Sequence, residues 1–147
     1  MTPQGYAKLI EHEGEKLTPF KDSLGYWTIG VGHLIDSRRG GGITMRVSRM
    51  LLDDDINVAT VHCRIAFPWF DGLDPVRQDA IVNLAFNLGI DGLKKFHLMI
   101  AAIEQEDWEK AAYELWNSLW AKQVQDRRRV ELMTALEKGV WLNNVVV

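Results

Sequence analysis

The chain has 147 residues, of which 47% are hydrophobic and 25% are charged, and its formal net charge is −3. This length and apolar content suffice for one sizeable core and exclude a largely disordered chain. The negative charge argues against general nucleic-acid binding, which needs a clustered basic surface. The single cysteine, Cys63, cannot form an intramolecular disulfide and has no metal-ligand spacing around it, so we expect a buried thiol.

The N-terminal segment MTPQGYAKLIEHEGEK is too charged to contain an apolar signal region. No stretch approaches the roughly 18 apolar residues of a membrane-spanning helix. We therefore expect a protein that folds in a cytosol and neither exports nor anchors itself. Thr2-Pro3 predicts the start of a first helix over residues 3–13, and Gly14 predicts its end.

Glu13 is the last residue of this predicted helix. Tyr6, Leu9 and Ile10 form one apolar stripe, and helical spacing places Glu13 in the middle of it. The sequence thus predicts an acid held against the core. Burial penalises a charged carboxylate, so Glu13 is expected to retain a proton and to donate it near neutral pH.

The segments LTPFKD, SLG and YWTIGVGH, residues 17–33, predict a hairpin of a small sheet. Tyr26 and Thr28 share one face of its second strand. Gly30 and Gly32 leave that face bare, so another group can approach the backbone there. A β-bulge would explain one glycine as well as a ligand would, but two glycines on one face favour a groove.

The loop SRRGGGIT ends at Thr44, a candidate N-cap for a long helix over about residues 45–65. The run Asp53-Asp54-Asp55 is interpreted as solvated surface rather than a calcium site, because consecutive carboxylates on a helix point in three directions. The apolar side of the helix is predicted to comprise Val47, Met50, Leu51, Val58, Val61 and Ile65.

The remaining chain predicts a bundle of short helices. Asp74-Pro75 and Gly89 bracket one apolar helix, and Asp107 is a candidate cap for another. Within the first of these, Asn83 and Asn87 lie four residues apart. Their amides either satisfy neighbouring helix ends or face a wet cleft, and the sequence leaves both alternatives open.

A last helix is predicted over residues 125–138, stopped by Gly139. The basic run at its start, 127–129, could attract an anionic ligand, but pairing with Asp126 and Glu131 on a solvated helix is the favoured interpretation. His33 is interpreted as structural, with an acid as its candidate ion-pair partner, because strand alternation places it on the face opposite Thr28.

Glu13 and Asp22 form the candidate catalytic pair. Asp22, at a hairpin turn, is expected to stay ionised while Glu13 is protonated. Two carboxyls that differ in this way suit glycoside cleavage, in which one protonates the leaving oxygen and the other activates water or stabilises the oxocarbenium-like centre.

The spacing of Glu13, Asp22 and Thr28 within HEGEKLTPFKDSLGYWTIGVGHLID closely resembles the signature of the phage-type lysozymes, the T-even-phage endolysin family also called glycoside hydrolase family 24. The resemblance continues through NLAFNLG at 83–89, DWEKAAYELWNSLW at 107–120 and GVW at 139–141. It covers nearly the whole chain, with 36–72 the least similar region.

This resemblance implies a lysozyme-like α+β fold, mainly α, with a small N-terminal antiparallel sheet lobe, a C-terminal helical lobe and a cleft between them. The chain is expected to be a single domain, 1–147. Its first lobe spans about 14–66, its second about 67–147, and the first helix packs on the second lobe.

The resemblance also implies a muramidase that hydrolyses the β-1,4 bond between N-acetylmuramic acid and N-acetylglucosamine in peptidoglycan, with inversion. Glu13 would be the general acid, Asp22 the base or electrostatic partner, and Thr28 the residue that places the attacking water. Leu34 and Phe86 match apolar positions of the saccharide groove. No cofactor, metal, nucleic acid or membrane insertion is implied.

The implied biological role is that of a bacteriolytic endolysin. It would be a monomer that stays in the host cytoplasm until a separate holin-type protein permeabilises the membrane, and it would then reach the periplasm and wall.

Met99 and Glu114 depart from the family at positions where a small hydroxyl and an amide contact saccharide. The alternatives are a catalytically silent wall-binding or virion module with the same fold, and a chitinase-like hydrolase.

Overall fold

The computed structural model describes residues 1, 3–40 and 42–142. The chain divides into two compact units, Met1–Leu52 and Asp53–Val147. The predicted lobe boundary at 66/67 and the packing of the first helix on the second lobe stay predictions. Thr2, the proposed cap of the first helix, lies outside the described residues.

The first unit begins with helix α1, Pro3–Glu13, and continues into a three-stranded antiparallel sheet in the order β1-β2-β3. Its strands are β1, Lys16–Lys21, β2, Trp27–Gly30, and β3, His33–Leu34. Among the described residues of this unit, only Thr28 is buried. The predicted bounds of α1 are confirmed.

The third strand corrects the prediction that residues 26–33 form one continuous strand. β2 ends at Gly30, the chain turns, and β3 pairs back on β2 with Ile29 opposite His33. Gly30 and Gly32 both have positive φ angles, 64° and 63°, which glycine adopts without steric cost. The two glycines therefore form a turn rather than a bare strand face. His33 does lie on the face opposite Thr28, but no ion pair of His33 occurs among the described residues.

Helix α2, Met45–Ala66, starts where predicted, and the Thr44 hydroxyl accepts a hydrogen bond from the N–H of Val47 at 3.3 Å. The predicted apolar stripe of this helix is wrong. Within the second unit α2 buries Ala59 and Cys63, whereas the predicted residues are exposed apart from Val47, which is half-buried. The buried stripe is thus made of small side chains that a pattern of large apolar residues does not reveal. The predicted burial of Cys63 is confirmed, and it raises the pKa of the thiol to about 11.

The second unit continues with a short 3-10 helix, Phe70–Gly72, and five further helices, and it contains the hydrophobic core. The core cluster runs from Ala59 to Leu136 along the chain. Together the two units confirm the predicted α+β, mainly helical class. The five helices are α3, Pro75–Leu93, α4, His97–Glu104, α5, Trp108–Trp116, α6, Leu119–Gln123, and α7, Asp126–Lys138.

The caps of these helices follow the sequence closely. The carboxylates of Asp74 and Asp107 accept hydrogen bonds from the N–H groups of Arg77 and Lys110, each at 3.1 Å. Gly139 ends α7 with a φ of 64°. Gly89 breaks the helical backbone of α3 with a φ of 69° and a ψ of 161°. The helix was predicted to end there, but it is only kinked at Gly89 and continues for one more turn.

Arg77 joins the start of α3 to the end of α7. Its Nε and Nη2 donate to the carbonyls of Leu136 and Glu137 at 2.8 and 2.7 Å, and Nη1 donates to Asp74 at 2.8 Å. The guanidinium lies 4.1 Å from the centre of the Trp108 ring. One side chain therefore satisfies two C-terminal carbonyls of α7 that have no partner within their own helix.

We expect Arg77→Lys to lower the free energy of unfolding by about 2 kcal/mol, because an ammonium cannot reproduce the forked, partly buried hydrogen bonds to the two carbonyls. Urea unfolding followed by circular dichroism measures this loss. Arg64→Lys is the matched control: its Nε bonds to Asp71 at 2.8 Å in an exposed ion pair, and such pairs contribute about 0–1 kcal/mol. Equal midpoints for the two variants would contradict the assigned role of Arg77.

Candidate active site

A cavity of about 580 Å³ in the first unit brings together four of the five site residues predicted from the sequence. Glu13, Asp22, Thr28 and Leu34 all line it. Phe86, the fifth, lies on α3 in the second unit and lines a different cavity. The lining also includes Phe20, Tyr26, Gly32 and Ser37.

Glu13 is the last residue of α1, where the helix ends because Gly14 takes a φ of 73° and donates its N–H to the Ile10 carbonyl at 2.8 Å. The predicted burial of Glu13 is wrong: its side chain is exposed, and no residue of α1 is buried. Tyr6 is 63% exposed, so the apolar stripe of α1 does not enclose the carboxyl.

Gly32 lies beside the Glu13 carboxyl. A Cβ atom added at Gly32 would stand 3.1 Å from Oε2 of Glu13 and 3.6 Å from its Cδ. The residue at this turn must therefore be small as well as tolerant of a positive φ. The glycines that suggested a bare strand face instead bring the backbone of a turn against the candidate acid.

Asp22 is fixed by the turn between β1 and β2. Its Oδ1 accepts hydrogen bonds from the N–H groups of Leu24 and Tyr26, both at 2.9 Å, and its own N–H donates to the Tyr26 carbonyl at 2.9 Å. No donor among the described residues contacts Oδ2. One carboxylate oxygen thus anchors the side chain, and the other is available to a ligand.

Thr28 is buried, with 6% of its surface exposed, in the centre of the small sheet. It pairs with Phe20 on one side and with Leu34 on the other. Directly paired residues share a face, so these three side chains stand in a row across the sheet. The Thr28 hydroxyl donates to the Tyr26 carbonyl at 3.3 Å, a long bond that a better acceptor or a water can replace.

The loop after β3 carries Ser37 into the cavity lining. Beside it, Asp36 accepts from the backbone N–H of Arg38 at 2.7 Å and from its guanidinium at 2.6 Å. The hydrogen bonds from Arg38 lower the pKa of Asp36 to about 2. This stabilisation is complete above the ordinary pKa of 3.8 and is lost as pH falls towards 2, so the loop stays paired at neutral pH.

Sequence reasoning missed Phe20, Ser37 and the role of Gly32 in this cavity. Alternation from Thr28 identified Tyr26, whereas Phe20 requires the strand register, which alternation does not give. Sequence reasoning had likewise assigned Gly32 to a strand rather than to a turn.

Other polar residues singled out in the second unit are structural. Asn83 accepts from Arg128 at 2.7 Å and Asn87 from the indole N–H of Trp120 at 2.8 Å, so both amides bond to side chains of neighbouring helices, and the predicted bonding to helix ends is not confirmed. Arg127 and Arg129 pair with Glu131 and Asp126 as predicted, at 2.8 and 2.7 Å.

Met99 is 1% exposed and belongs to the core cluster of the second unit. Glu114 is half-buried, and both residues line a third cavity of about 650 Å³. Across the described part of the chain, no group of three or more His, Cys, Asp or Glu side chains could hold a metal ion. No described helix is long and apolar enough to cross a membrane.

The geometry suits hydrolysis of a glycosidic bond. Two carboxyl groups line one cavity: that of Glu13 is exposed at a helix end, and that of Asp22 is anchored by backbone N–H groups. Thr28, on the central strand of the sheet, lines the same cavity. Acid-assisted departure of a sugar oxygen and activation of water each need one carboxyl group.

Of three known proteins similar to this chain, two carry names that agree with that chemistry. The "Probable T4-type lysozyme 1" of Dictyostelium discoideum is 31% identical over 153 aligned positions, which cover 86% of this chain and 89% of the relative. The "Endolysin" of Salmonella phage P22 is 32% identical over 60% of this chain and 63% of its own. The "Pre-baseplate central spike protein Gp5" of Enterobacteria phage T4 is 30% identical over 81% of this chain but only 25% of its own length. The sequence model described as Phage lysozyme matches residues 10–134, and the chain therefore belongs to the phage lysozyme family.

Proposed function

We propose that this protein is a muramidase that cleaves the β-1,4 bond between N-acetylmuramic acid and N-acetylglucosamine in peptidoglycan. The observation that carries the proposal is the cavity of the first unit, which is lined by Glu13, Asp22 and Thr28 together. Membership of the phage lysozyme family supports the coarser statement, that the chain is a lysozyme-type glycoside hydrolase acting on peptidoglycan.

In this proposal Glu13 donates a proton to the leaving glycosidic oxygen. Its exposed position at a helix end gives it access to substrate and to solvent, from which it is reprotonated. Asp22 acts as base or electrostatic partner through Oδ2, since Oδ1 is occupied by two N–H groups. Thr28 places the attacking water, its hydroxyl exchanging the long bond to the Tyr26 carbonyl for one to that water. Water attack from the opposite face of the sugar would invert the anomeric configuration.

Host cell lysis is the proposed role. Relatives that are named endolysins support it. The protein would act as a monomer and remain in the host cytoplasm until a holin-type protein opens the membrane, and it would then reach the periplasm and the wall.

A second candidate is a silent wall-binding or virion structural module. The similarity to the central spike protein favours it, because there a segment of this kind makes up about a quarter of a virion component. The intact set of Glu13, Asp22 and Thr28 supports the enzymatic proposal instead.

Digestion of purified sacculi separates these candidates. We expect soluble fragments with N-acetylmuramic acid at the reducing end, identified by mass spectrometry after borohydride reduction, and intact chitin oligomers in a parallel reaction. N-acetylglucosamine reducing ends, or rapid chitin cleavage, would refute a muramidase. No release of fragments would favour the silent module, and the anomer first formed, read by NMR, tests inversion.

A further inference from the structure

We propose that Lys16 and Arg39 form a cationic rim beside the cavity of the first unit and that this rim binds a carboxylate of the muramic acid unit. The proposal rests on the proposed function, because the carboxylate belongs to the proposed substrate. It gives the enzyme a means of preferring peptidoglycan to an uncharged polymer of N-acetylglucosamine. Both residues lie in Met1–Leu52.

Two aromatic residues of the cavity lining each lie against a cation. The Nζ of Lys16 lies 4.2 Å from the centre of the Phe20 ring. The guanidinium carbon of Arg39 lies 5.9 Å from the centre of the Tyr26 ring. Both rings line the cavity of the first unit, together with the candidate acid and base. Because a cation within about 6 Å of an aromatic ring is attracted to the ring face, these contacts hold two positive charges beside the cavity.

The side chains of both cations are available to a ligand. Lys16 and Arg39 are exposed, and neither side chain donates a hydrogen bond or forms an ion pair within the described part of the chain. Arg38 differs from its neighbour, because its guanidinium is bonded to the Asp36 carboxylate. A contact with a ring uses the charge of a cation but none of its N–H donors. Lys16 and Arg39 therefore keep their side-chain donors for an anion from solution.

The loop that carries Arg39 is held by contacts of its own. The ion pair of Asp36 and Arg38 lies within it, and the Asp36 side chain is only 12% exposed. Gly42 packs on this pair, since a Cβ added there would stand 2.7 Å from Oδ2 of Asp36. The same loop carries Ser37 into the cavity lining. Arg39 is thus presented from a folded loop, which reduces the entropy lost when it binds a ligand.

The muramic acid unit of peptidoglycan supplies a matching anion. Its lactyl group ends either in a free carboxylate or in an amide to a peptide stem, and the stem has carboxylates of its own. N-acetylglucosamine carries neither group. Glu13 and Asp22 would repel such an anion, and the cationic rim offsets that repulsion. The first unit carries more Lys and Arg than Asp and Glu although the whole chain has a net charge of −3, so its attraction for an anionic strand is local.

Binding to the full chain carrying Glu13→Gln, which removes turnover, tests the rim. One probe is N-acetylglucosaminyl-N-acetylmuramic acid with a free lactyl carboxylate, and a second is the same disaccharide with an L-alanyl-D-glutamyl stem. The third, N,N′-diacetylchitobiose, has no carboxylate. Dissociation constants are measured from amide chemical shifts during titration. Adding Lys16→Gln and Arg39→Gln should weaken binding of a muramyl probe about tenfold, the contribution of a charge-assisted hydrogen bond, and should leave binding of the chitobiose unchanged.

Arg46→Gln combined with Arg49→Gln is the matched control. This pair also removes two positive charges from the first unit, and both arginines are exposed on α2 and lie outside the cavity lining. It should leave all three dissociation constants unchanged.

A loss confined to the stem-bearing probe identifies a stem carboxylate as the ligand, and a loss confined to the other muramyl probe identifies the lactyl carboxylate. A loss with both probes shows that either carboxylate binds. The proposal would be overturned by undetectable binding of both muramyl probes, or by unchanged binding at equal thermal stability. The same loss in the control pair, or the same loss for the chitobiose, would also overturn it.

The proposed function fails separately from the rim, because binding is measured without turnover. The expected loss of binding, together with sacculi that wild type leaves intact, would support the rim and refute the muramidase. Cleaved sacculi with unchanged binding would do the reverse.

Discussion

Glu13→Gln is expected to slow clearing of permeabilised Gram-negative cells by roughly 100- to 10,000-fold, the contribution typical of a general acid. The amide keeps the size and helix position of the carboxyl but has no proton to give to the leaving oxygen. Because Glu13 is exposed and makes no hydrogen bond with a described residue, thermal stability should not change.

Glu15→Gln is the control for this experiment. Glu15 is an exposed acid two residues further along the chain, and it does not line the cavity. The Glu15→Gln variant should clear cells at the wild-type rate. That result would show that losing one negative charge near the site does not cause the slow clearing by Glu13→Gln. If the Glu13→Gln variant cleared cells as fast as the Glu15→Gln variant, Glu13 would be excluded as the general acid.

Gly32→Ala is expected to lower activity about tenfold, because the Glu13 carboxyl must give way by a few tenths of an ångström, and a full 1 Å displacement of a reacting group costs about 100-fold. The new methyl would stand 3.1 Å from Oε2 of Glu13, closer than about nine in ten real contacts of a Cβ, and would displace the carboxyl slightly. It also places alanine at a φ of 63°, which costs about 1–2 kcal/mol.

Gly25→Ala separates these two effects. Gly25 has a φ of 86° in the turn between β1 and β2, and a Cβ there meets no atom within 4 Å. Both variants should therefore lose similar stability in thermal unfolding, and only Gly32→Ala should lose most of its rate. If the two variants lost the same activity, backbone strain and not the contact with Glu13 would explain the result.

Features that depend on the local chain were predictable. The caps at Thr44, Asp74 and Asp107 and the stops at Gly14 and Gly139 follow from which residues can satisfy helix ends, and that requirement acts within a few residues. The bounds of α1 and α2 were predicted within one residue for the same reason.

Features that depend on residues distant in the sequence were not predictable. Helical periodicity showed that Glu13 shares a face with Tyr6 and Leu9, but not whether anything covers that face. Alternation identified Thr28 and Tyr26 but could not give the register that sets Phe20 and Leu34 beside Thr28. The resemblance named Glu13, Asp22, Thr28 and Leu34, and it carried no information on the turn at Gly32 that lies beside the acid.

Thr28 is the one buried residue among the described part of Met1–Leu52, whereas the core cluster spans Ala59 to Leu136. Amide hydrogens of the small sheet should therefore exchange with solvent through local opening, while those of α3 and α7 exchange only in global unfolding. The candidate acid and base both lie in the unit that opens first. Heat would then inactivate the protein at a temperature below that at which its helices melt, so ellipticity would overestimate the temperature range in which the enzyme works.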